Sequence, residues 1–131
     1  MSDEIVALPL VFLLLGLFQL KHYVADYVLQ NRYMLGKFDA GWTFALPLAT
    51  HVAVHAALTF IICVAFEPSM WWLSLVDGIS HFFIDRVKAS PRMLGRFDRT
   101  QAPYWWTLGA DQMLHHLVHY CLIYRLLVSP F

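Results

Sequence analysis

The sequence predicts an all-α protein, a polytopic membrane four-helix bundle that runs up-down-up-down. Two observations predict this class. Of the 131 residues, 60% are hydrophobic, well above the roughly 45–50% that is usual in soluble domains. The apolar residues also fall into four long segments joined by short connections. No run alternates apolar and polar residues with period two, so we expect no strands. The length fits a single transmembrane domain over residues 1–131.

Each of the four segments is long enough to cross a hydrocarbon core of about 30 Å, which takes about 20 helical residues. We expect helices at about residues 4–33, 43–66, 68–89 and 103–128. Pro68 and Pro103 fit the first turn of the third and fourth helices, where a missing N–H costs least. The first segment is not a typical signal peptide, because its leading MSDE is acidic and no small-residue cleavage site follows. We expect it to be retained as a membrane helix.

Basic residues predict the orientation of the bundle. Eight of the nine Lys and Arg lie in or beside the first and third connections: Lys21, Arg32, Lys37, Arg86, Lys88, Arg92, Arg96 and Arg99. The opposite side carries Asp3, Glu4 and Glu67. By the positive-inside rule, these two connections face the cytoplasm and both termini lie on the non-cytoplasmic side.

The five tryptophans predict the same orientation. Trp42, Trp105 and Trp106 fall at the cytoplasmic boundary, and Trp71 and Trp72 fall at the outer one. Tryptophan is enriched at both membrane–water interfaces, so these positions match an aromatic belt. We therefore expect a multi-pass membrane protein in contact with membrane lipids.

Charge and cysteine content exclude some other classes. The formal net charge is zero, and no basic stripe with interleaved aromatic residues occurs, so we expect no nucleic acid partner. Cys63 and Cys121 are isolated in apolar stretches and form neither a disulfide framework nor a zinc knuckle.

Every predicted helix carries polar residues at four-residue spacing, which places them on one face. In chain order these are His22, Asp26 and Gln30; His51 and His55; Asp77, His81 and Asp85; and Asp111, His115 and His119, with Gln112 and His116 on the adjoining row. In an up-down bundle, the ends of helices one and three lie level with the starts of helices two and four. The polar residues are therefore expected to meet in one layer, in the cytoplasmic half.

Burial energetics predict that this layer faces inward and holds metal. An ionisable residue at the bilayer centre costs roughly 2.5–3.5 kcal/mol. The nearby Lys and Arg are expected toward the interface, which leaves divalent metal to balance the carboxylates. Mixed imidazole and carboxylate ligands on facing helices suit zinc, iron or manganese. We predict one or two divalent ions, zinc first, held by His22, Asp26, His51, His55, His81, Asp85, Asp111 and His115. A hydrogen-bonded network without metal is the alternative.

Four ordered motifs, HYVADYVLQNRYMLGK (22–37), HVAVH (51–55), HFFIDRVK (81–88) and DQMLHHLVH (111–119), carry a family resemblance over nearly the whole chain. The chain resembles a domain-of-unknown-function family of small four-helix membrane proteins from bacteria and their phages. Asp77 and His119 lie outside that pattern. The resemblance implies the bacterial inner (cytoplasmic) membrane, and a distant similarity to membrane-bound proteins described as metal-dependent hydrolases.

The first functional hypothesis is a metal-dependent hydrolase that acts on a lipid or phosphate-bearing substrate at the cytoplasmic leaflet. Metal would activate a water molecule and polarise the scissile group. The predicted catalytic carboxylates are Asp26, Asp85 and Asp111, one of them a candidate general base. Lys37, Arg86 and Lys88 are predicted to attract the substrate anion. Supporting or uncertain roles go to Gln30, Asp77, Gln112, His116 and His119.

Two alternatives come from other classes. One is a non-enzymatic membrane protein, such as a phage or bacterial effector or a bundle with a structural metal site. The other is a di-iron membrane oxidase, although seven histidines are few for that chemistry. An ion pathway is disfavoured, because the outer half of the predicted bundle is apolar except for Gln19.

Overall fold

The computed structural model describes the backbone of residues 2–128 and the side chains of residues 8–128. The side chains of Asp3 and Glu4, expected on the non-cytoplasmic side, lie outside the described residues. Four α-helices are present: α1 Ser2–Tyr23, α2 Ala45–Phe66, α3 Leu73–Ala89 and α4 Ala102–Leu127. No strand occurs between residues 2 and 128, so the all-α prediction is confirmed.

Two helix boundaries differ from the expected ones. After α1 the chain continues as a π-helical turn, Val24–Val28, and then leaves the helix, five residues before the predicted end at residue 33. Asn31 caps the following turn, since its side chain accepts a hydrogen bond from the Met34 N–H at 3.0 Å. The third helix starts late because Pro68–Met70 forms a separate 3-10 turn, in which Glu67 accepts the Ser69 N–H. The bounds of the second and fourth helices agree within two residues.

Side-chain contacts fix the directions of the helices. On α2 and α3, Thr59 contacts Asp77, whereas His51, two turns earlier, lies beside Asp85, two turns later. The order along the two helices is reversed, so α2 and α3 are antiparallel. On α4, His119 lies beside Asp77, and an earlier residue of the same helix lies beside Asp85. Helices α3 and α4 are therefore antiparallel as well.

Among the described residues, many polar side chains are buried and many large apolar side chains are exposed, which is the reverse of a water-soluble bundle. The least exposed include His51, His55, His81, His119, Asp77 and Thr59. By contrast, Trp42 is 88% exposed and Leu46 is 72% exposed. Soluble domains bury large apolar residues and rarely leave broad apolar surfaces uncovered. The exterior of this bundle is therefore suited to an apolar surrounding.

One half of the bundle has a conventional apolar interior. Its core is formed by Leu14, Phe18, Ile62, Cys63, Met70, Leu73, Leu122, Ile123 and Leu126. These residues come from the second half of α1, the end of α2, the turn before α3 and the start of α3, and the end of α4. The polar residues occupy the other half, so the helices place all of the buried charge toward one end.

Two segments are long and apolar enough to cross a membrane, Leu8–Val28 and Trp42–Phe66. Length and composition alone identify them.

Candidate metal centre

The π-helical turn determines how α1 presents its ligands. His22 ends α1 and Asp26 lies inside the π turn, with His22 Nε2 3.1 Å from Asp26 Oδ2. π-turns inside helices are rare and frequently mark functional sites. Gln30, predicted on the same face, lies beyond the π turn, is partly buried and takes no part in the hydrogen bonds of the cluster among the described residues. Its supporting role stays a prediction.

The first candidate ligand group joins α1, α2 and α3. Asp26, His51, His55 and His81 each offer a ligand atom, and these atoms lie within 4.8 Å of one another. Nε2 of His55 is 2.9 Å from Asp26 Oδ1, and Nε2 of His51 is 3.2 Å from the same oxygen. Because His51 and His55 are one helical turn apart, both rings reach Asp26 from one face of α2.

The second group joins α3 and α4. His81, Asp85 and His115 bring their ligand atoms within 4.8 Å of one another, and His115 Nε2 is 3.1 Å from Asp85 Oδ1. His81 belongs to both groups, and its ring lies between those of His55 and His115, with centroid distances of 3.7 and 4.0 Å. We call the combined set the His/Asp layer: Asp26, His51, His55, His81, Asp85 and His115.

Several buried nitrogens of this layer have no hydrogen-bond partner among the described residues. His51 Nε2 lies 3.2 Å from Asp26 Oδ1 and 3.3 Å from Asp85 Oδ2, yet it makes no hydrogen bond to either. Neither ring nitrogen of His81 has a partner. Buried polar atoms are nearly always satisfied. Two ligand atoms about 2.0–2.2 Å from one ion are about 3–3.5 Å apart at tetrahedral or octahedral angles, so the spacing around His51 Nε2 fits a shared ion.

The outer surroundings of the rings are less typical of a metal site. In the described part of the chain, Nδ1 of His22, His51 and His55 has no hydrogen-bond partner. Metal-binding histidines usually donate their second N–H to a carboxylate or carbonyl, and loss of that partner costs about 10–100-fold in affinity. Only packing therefore holds the Nδ1 side of these three rings.

Two lysines change the expected charge balance of the layer. Lys37, predicted at the mouth of the site, is buried and donates to Asp85 Oδ2 at 2.9 Å. Lys88 Nζ lies 3.3 Å from Asp111 Oδ2. The expectation that the nearby Lys lie toward the interface is wrong for Lys37 and also for Lys21, which is 4% exposed. Asp26 is the carboxylate of the layer that the described lysines leave unpaired.

Lys37 reaches the interior because the connection between α1 and α2 folds back on the bundle. The 3-10 turn Met34–Phe38 carries it, and Gly36 allows the turn to approach Pro47 of α2. A Cβ atom at Gly36 would lie 2.8 Å from Pro47 Cγ, closer than packed carbons normally approach. Arg86, the third predicted anion ligand, instead stacks on Phe44, with its guanidinium carbon 3.4 Å from the ring centroid.

A second buried cluster lies deeper and is distinct from the His/Asp layer. Lys21 Nζ donates to Asp77 Oδ2 at 2.5 Å and lies 3.2 Å from His119 Nε2. The Thr59 hydroxyl donates to the same Asp77 oxygen at 2.6 Å. We call these four residues the Lys21–Asp77 layer. It contains Asp77 and His119, the two residues that fall outside the family motifs.

Sequence reasoning missed Lys21 and Thr59 as members of a buried cluster. Thr59 lies one turn after His55, so helical spacing places it on the same face of α2 and could have identified it. Lys21 precedes Asp26 by five residues, a spacing that does not share a face in a regular α-helix. Its contact with Asp77 follows from the packing of the helices.

The remaining predicted polar residues lie at the edge of the layer. Gln112 donates to Asp111 Oδ2 at 2.9 Å, and its Oε1 is 3.1 Å from His22 Nε2. It therefore links Asp111 and His22, two predicted metal ligands that belong to neither candidate ligand group. His116 contacts Gln19 on α1 at 3.1 Å. Supporting roles for Gln112 and His116 stay predictions, with contacts that suit them.

Fold and site together define the class. This is a small all-α protein with two apolar helices able to cross a membrane and buried His/Asp groups able to hold a metal ion.

The family model described as "Protein of unknown function (DUF3307)" matches residues 12–130, and the chain belongs to this family. Comparisons with curated proteins and with solved structures found no match. Membership of a domain-of-unknown-function family is thereby confirmed. The bacterial or phage origin and the similarity to hydrolases stay predictions.

Proposed function

We propose that the chain is an integral protein of the cytoplasmic membrane whose four helices all cross the bilayer. The inside-out burial supports this proposal, because a polar interior and an apolar exterior match a lipid surrounding. All five tryptophans are exposed and lie close to the starts of α2, α3 and α4, where an aromatic belt would place them. The basic connections then face the cytoplasm, with the His/Asp layer in the cytoplasmic half.

The length of α3 is compatible with a crossing. Its 17 residues extend about 26 Å at 1.5 Å per residue, and the preceding 3-10 turn Pro68–Met70 adds further length. The two carboxylates of α3 point into the bundle, where Lys21 and Lys37 pair with Asp77 and Asp85. Because these charges are paired away from lipid, they do not oppose a transmembrane position.

We propose that the His/Asp layer binds a divalent metal, zinc first, and supports hydrolysis of a phosphate ester. The observation that carries the proposal is His51 Nε2, buried between Asp26 and Asp85 at metal-ligand spacing without a hydrogen bond. Nε2 nitrogens and carboxylate oxygens are zinc ligands. When bound, the metal supplies a Lewis acid and an activated water molecule.

The protein's own residues would complete the reaction. Asp111 lies outside both ligand groups, and its buried Oδ1 has no hydrogen-bond partner among the described residues. This oxygen can take the proton of the attacking water, as a general base does. As the new P–O bond forms and the ester P–O bond breaks, Lys88, 3.3 Å from Asp111, would neutralise charge on the phosphate. The proton then passes from Asp111 to the leaving alkoxide.

The test is the metal content of detergent-purified protein together with hydrolysis of phosphate-ester lipids. His81→Leu removes the ring shared by both ligand groups, so we expect metal content to fall to background and hydrolysis to cease. His119→Leu is the matched control, because His119 is buried to the same 1% exposure but belongs to the Lys21–Asp77 layer. It should keep its metal. Equal metal content in the two variants, or a metal-free wild type, would overturn the proposal.

The lysine pairs favour a second candidate, a non-enzymatic bundle stabilised by its polar interior. Lys21, Lys37 and Lys88 pair with the three aspartates that are buried in the described part of the chain, so the network is partly balanced without an ion. This candidate predicts that chelator-treated protein keeps its full thermal stability and that no ester is turned over. Metal-dependent turnover would eliminate it.

A further inference from the structure

Two adjoining cavities lie where α3, α4 and their connection meet. The first, of about 230 Å³, is a groove between α3 and α4 whose apolar lining includes Phe83, Val87, Leu94, Ala110 and Leu114. Phe83 is 64% exposed, so the groove opens on the apolar exterior. We call it the α3–α4 groove. Its lining suits a hydrocarbon chain that enters sideways from a lipid leaflet.

The second cavity extends the groove toward the connection. It has a volume of about 370 Å³ and is lined by Phe97, Arg99 and Tyr104 together with three residues that also line the groove. The shared residues are Lys88, Leu94 and Thr107. An apolar groove thus joins a cavity of mixed lining that carries two cationic side chains, which is the division of a lipid into hydrocarbon chain and anionic head group.

Lys88 and Asp111 occupy the inner end of the groove. The Lys88 side chain is 28% exposed, whereas that of Asp111 is 3% exposed. Asp111 lines the groove, and its Oδ1, without a hydrogen-bond partner within residues 2–128, is 3.4 Å from His115 Nε2 of the His/Asp layer. A head group that reaches Lys88 therefore arrives directly beside the candidate metal ligands.

We propose that the α3–α4 groove is the entry and binding site for a membrane lipid with a phosphate-bearing head group. The chain lies against the apolar walls, and the phosphate pairs with Lys88 and Arg99 at the junction of the two cavities. Lys88 then pairs with the phosphate in place of Asp111, and the Asp111 carboxylate is left without its lysine. That the groove is a substrate site rests on the proposed hydrolase, whereas the binding of the lipid itself needs no metal.

The groove between α2 and α3 shows what distinguishes this site. That groove is larger, about 370 Å³ against about 230 Å³, and is lined by small and apolar residues such as Ala53 and Gly78. No charged residue lines it. It can accept a hydrocarbon chain but offers nothing for a phosphate, so it serves as an internal control.

The test is photo-labelling of purified protein in vesicles of zwitterionic lipid. The probe is hexadecyl phosphate with a diazirine on its chain, and the cross-linked peptides are mapped by mass spectrometry. We expect labels on the facing sides of α3 and α4. Because a charge-assisted contact is lost, Lys88→Met should reduce labelling about tenfold, as should replacement of the phosphate by a hydroxyl.

A pair of alanine substitutions separates the two grooves. Ala110→Phe fills the α3–α4 groove and should abolish labelling there, while Ala53→Phe fills the other groove and should leave it unchanged. Labels spread over all lipid-facing helices, or equal labelling of the two variants, would overturn the proposal. Full competition by inorganic phosphate would also overturn it, since the ligand would then be the free anion. If the wild type holds no metal and its groove is still labelled, the proposed hydrolase is contradicted and the lipid site stands.

Discussion

The bundle buries two polar layers built from similar residues, and they differ in where their positive charge comes from. In the Lys21–Asp77 layer the chain supplies the cation, because the Lys21 ammonium contacts both Asp77 and His119. In the His/Asp layer, Asp26 is surrounded by imidazoles alone. Nitrogens of His51 and His81 in that layer lack hydrogen-bond partners among the described residues.

The difference teaches how one helical bundle can complete one buried polar layer with its own residues and leave another able to accept an ion. A buried charge is tolerated when it is paired and hydrogen-bonded. A covalently attached ammonium provides that pairing permanently, so the Lys21–Asp77 layer has no need of an added ion. The His/Asp layer has one carboxylate without a lysine and spare ring nitrogens, and an external cation can complete it.

The largest expected effect comes from breaking the closed layer. Lys21→Met leaves the Asp77 carboxylate buried without its cation, and removal of one partner of a buried ion pair costs about 3–5 kcal/mol. We expect a matching fall in the free energy of unfolding in detergent, measured by circular dichroism, with unchanged metal content per folded protein.

A double variant provides the control. Lys21→Met combined with Asp77→Asn removes both charges and should recover most of the lost stability. If the single variant were as stable as the wild type, the layer would not depend on its own ammonium, and the comparison between the layers would fail.

An intermediate effect is expected from removing metal from the open layer. A ligand that binds only the folded state at 100 times its Kd stabilises by about 2.7 kcal/mol, so chelation should lower the Tm of the zinc-loaded wild type accordingly. Differential scanning calorimetry would measure the shift. Lys21→Met should show the same shift, because its layer does not hold the ion, and His81→Leu should show none. A shift that persists in His81→Leu would place the metal elsewhere.

A smaller effect should follow from disturbing the turn that brings Lys37 to the open layer. In Gly36→Ala, the new Cβ would lie 2.8 Å from Pro47 Cγ. Such overpacking forces the neighbouring groups to shift, so we expect the free energy of unfolding to fall by about 1–3 kcal/mol. Gly41→Ala, in the same connection, meets nothing within 4 Å and is the control. The measurement is the Tm of each variant in thermal unfolding. Equal stability would show that the turn is not packed closely enough to position Lys37 beside Asp85.

Some of the site could be read from the sequence because helical spacing fixes which residues share a face. His51 with His55 and His81 with Asp85 are each four residues apart, and both pairs face the interior as predicted. The common depth of the helix ends then brought residues from all four helices into one region. Neither inference needs any knowledge of the loops.

Other features depend on departures from regular geometry. The π turn at Val24–Val28 follows the end of α1, so the four-residue spacing of a regular α-helix does not describe how Asp26 and Gln30 are presented. Lys37 is buried only because its connection folds back against α2. Spacing rules assume straight helices and solvated loops, so they could foresee neither result.

The sequence by itself determined the all-α class, the four apolar segments and the faces that carry His and Asp, because all of these follow from composition and from the 3.6-residue period of a helix. Only the tertiary structure decided which charges meet. Lys21 could have extended toward the interface, as its position suggested, but packing against Asp77 and His119 holds it inside. The physical reason is that Coulomb pairing acts at a few ångströms in a medium of low dielectric, and no sequence spacing fixes such distances between different helices.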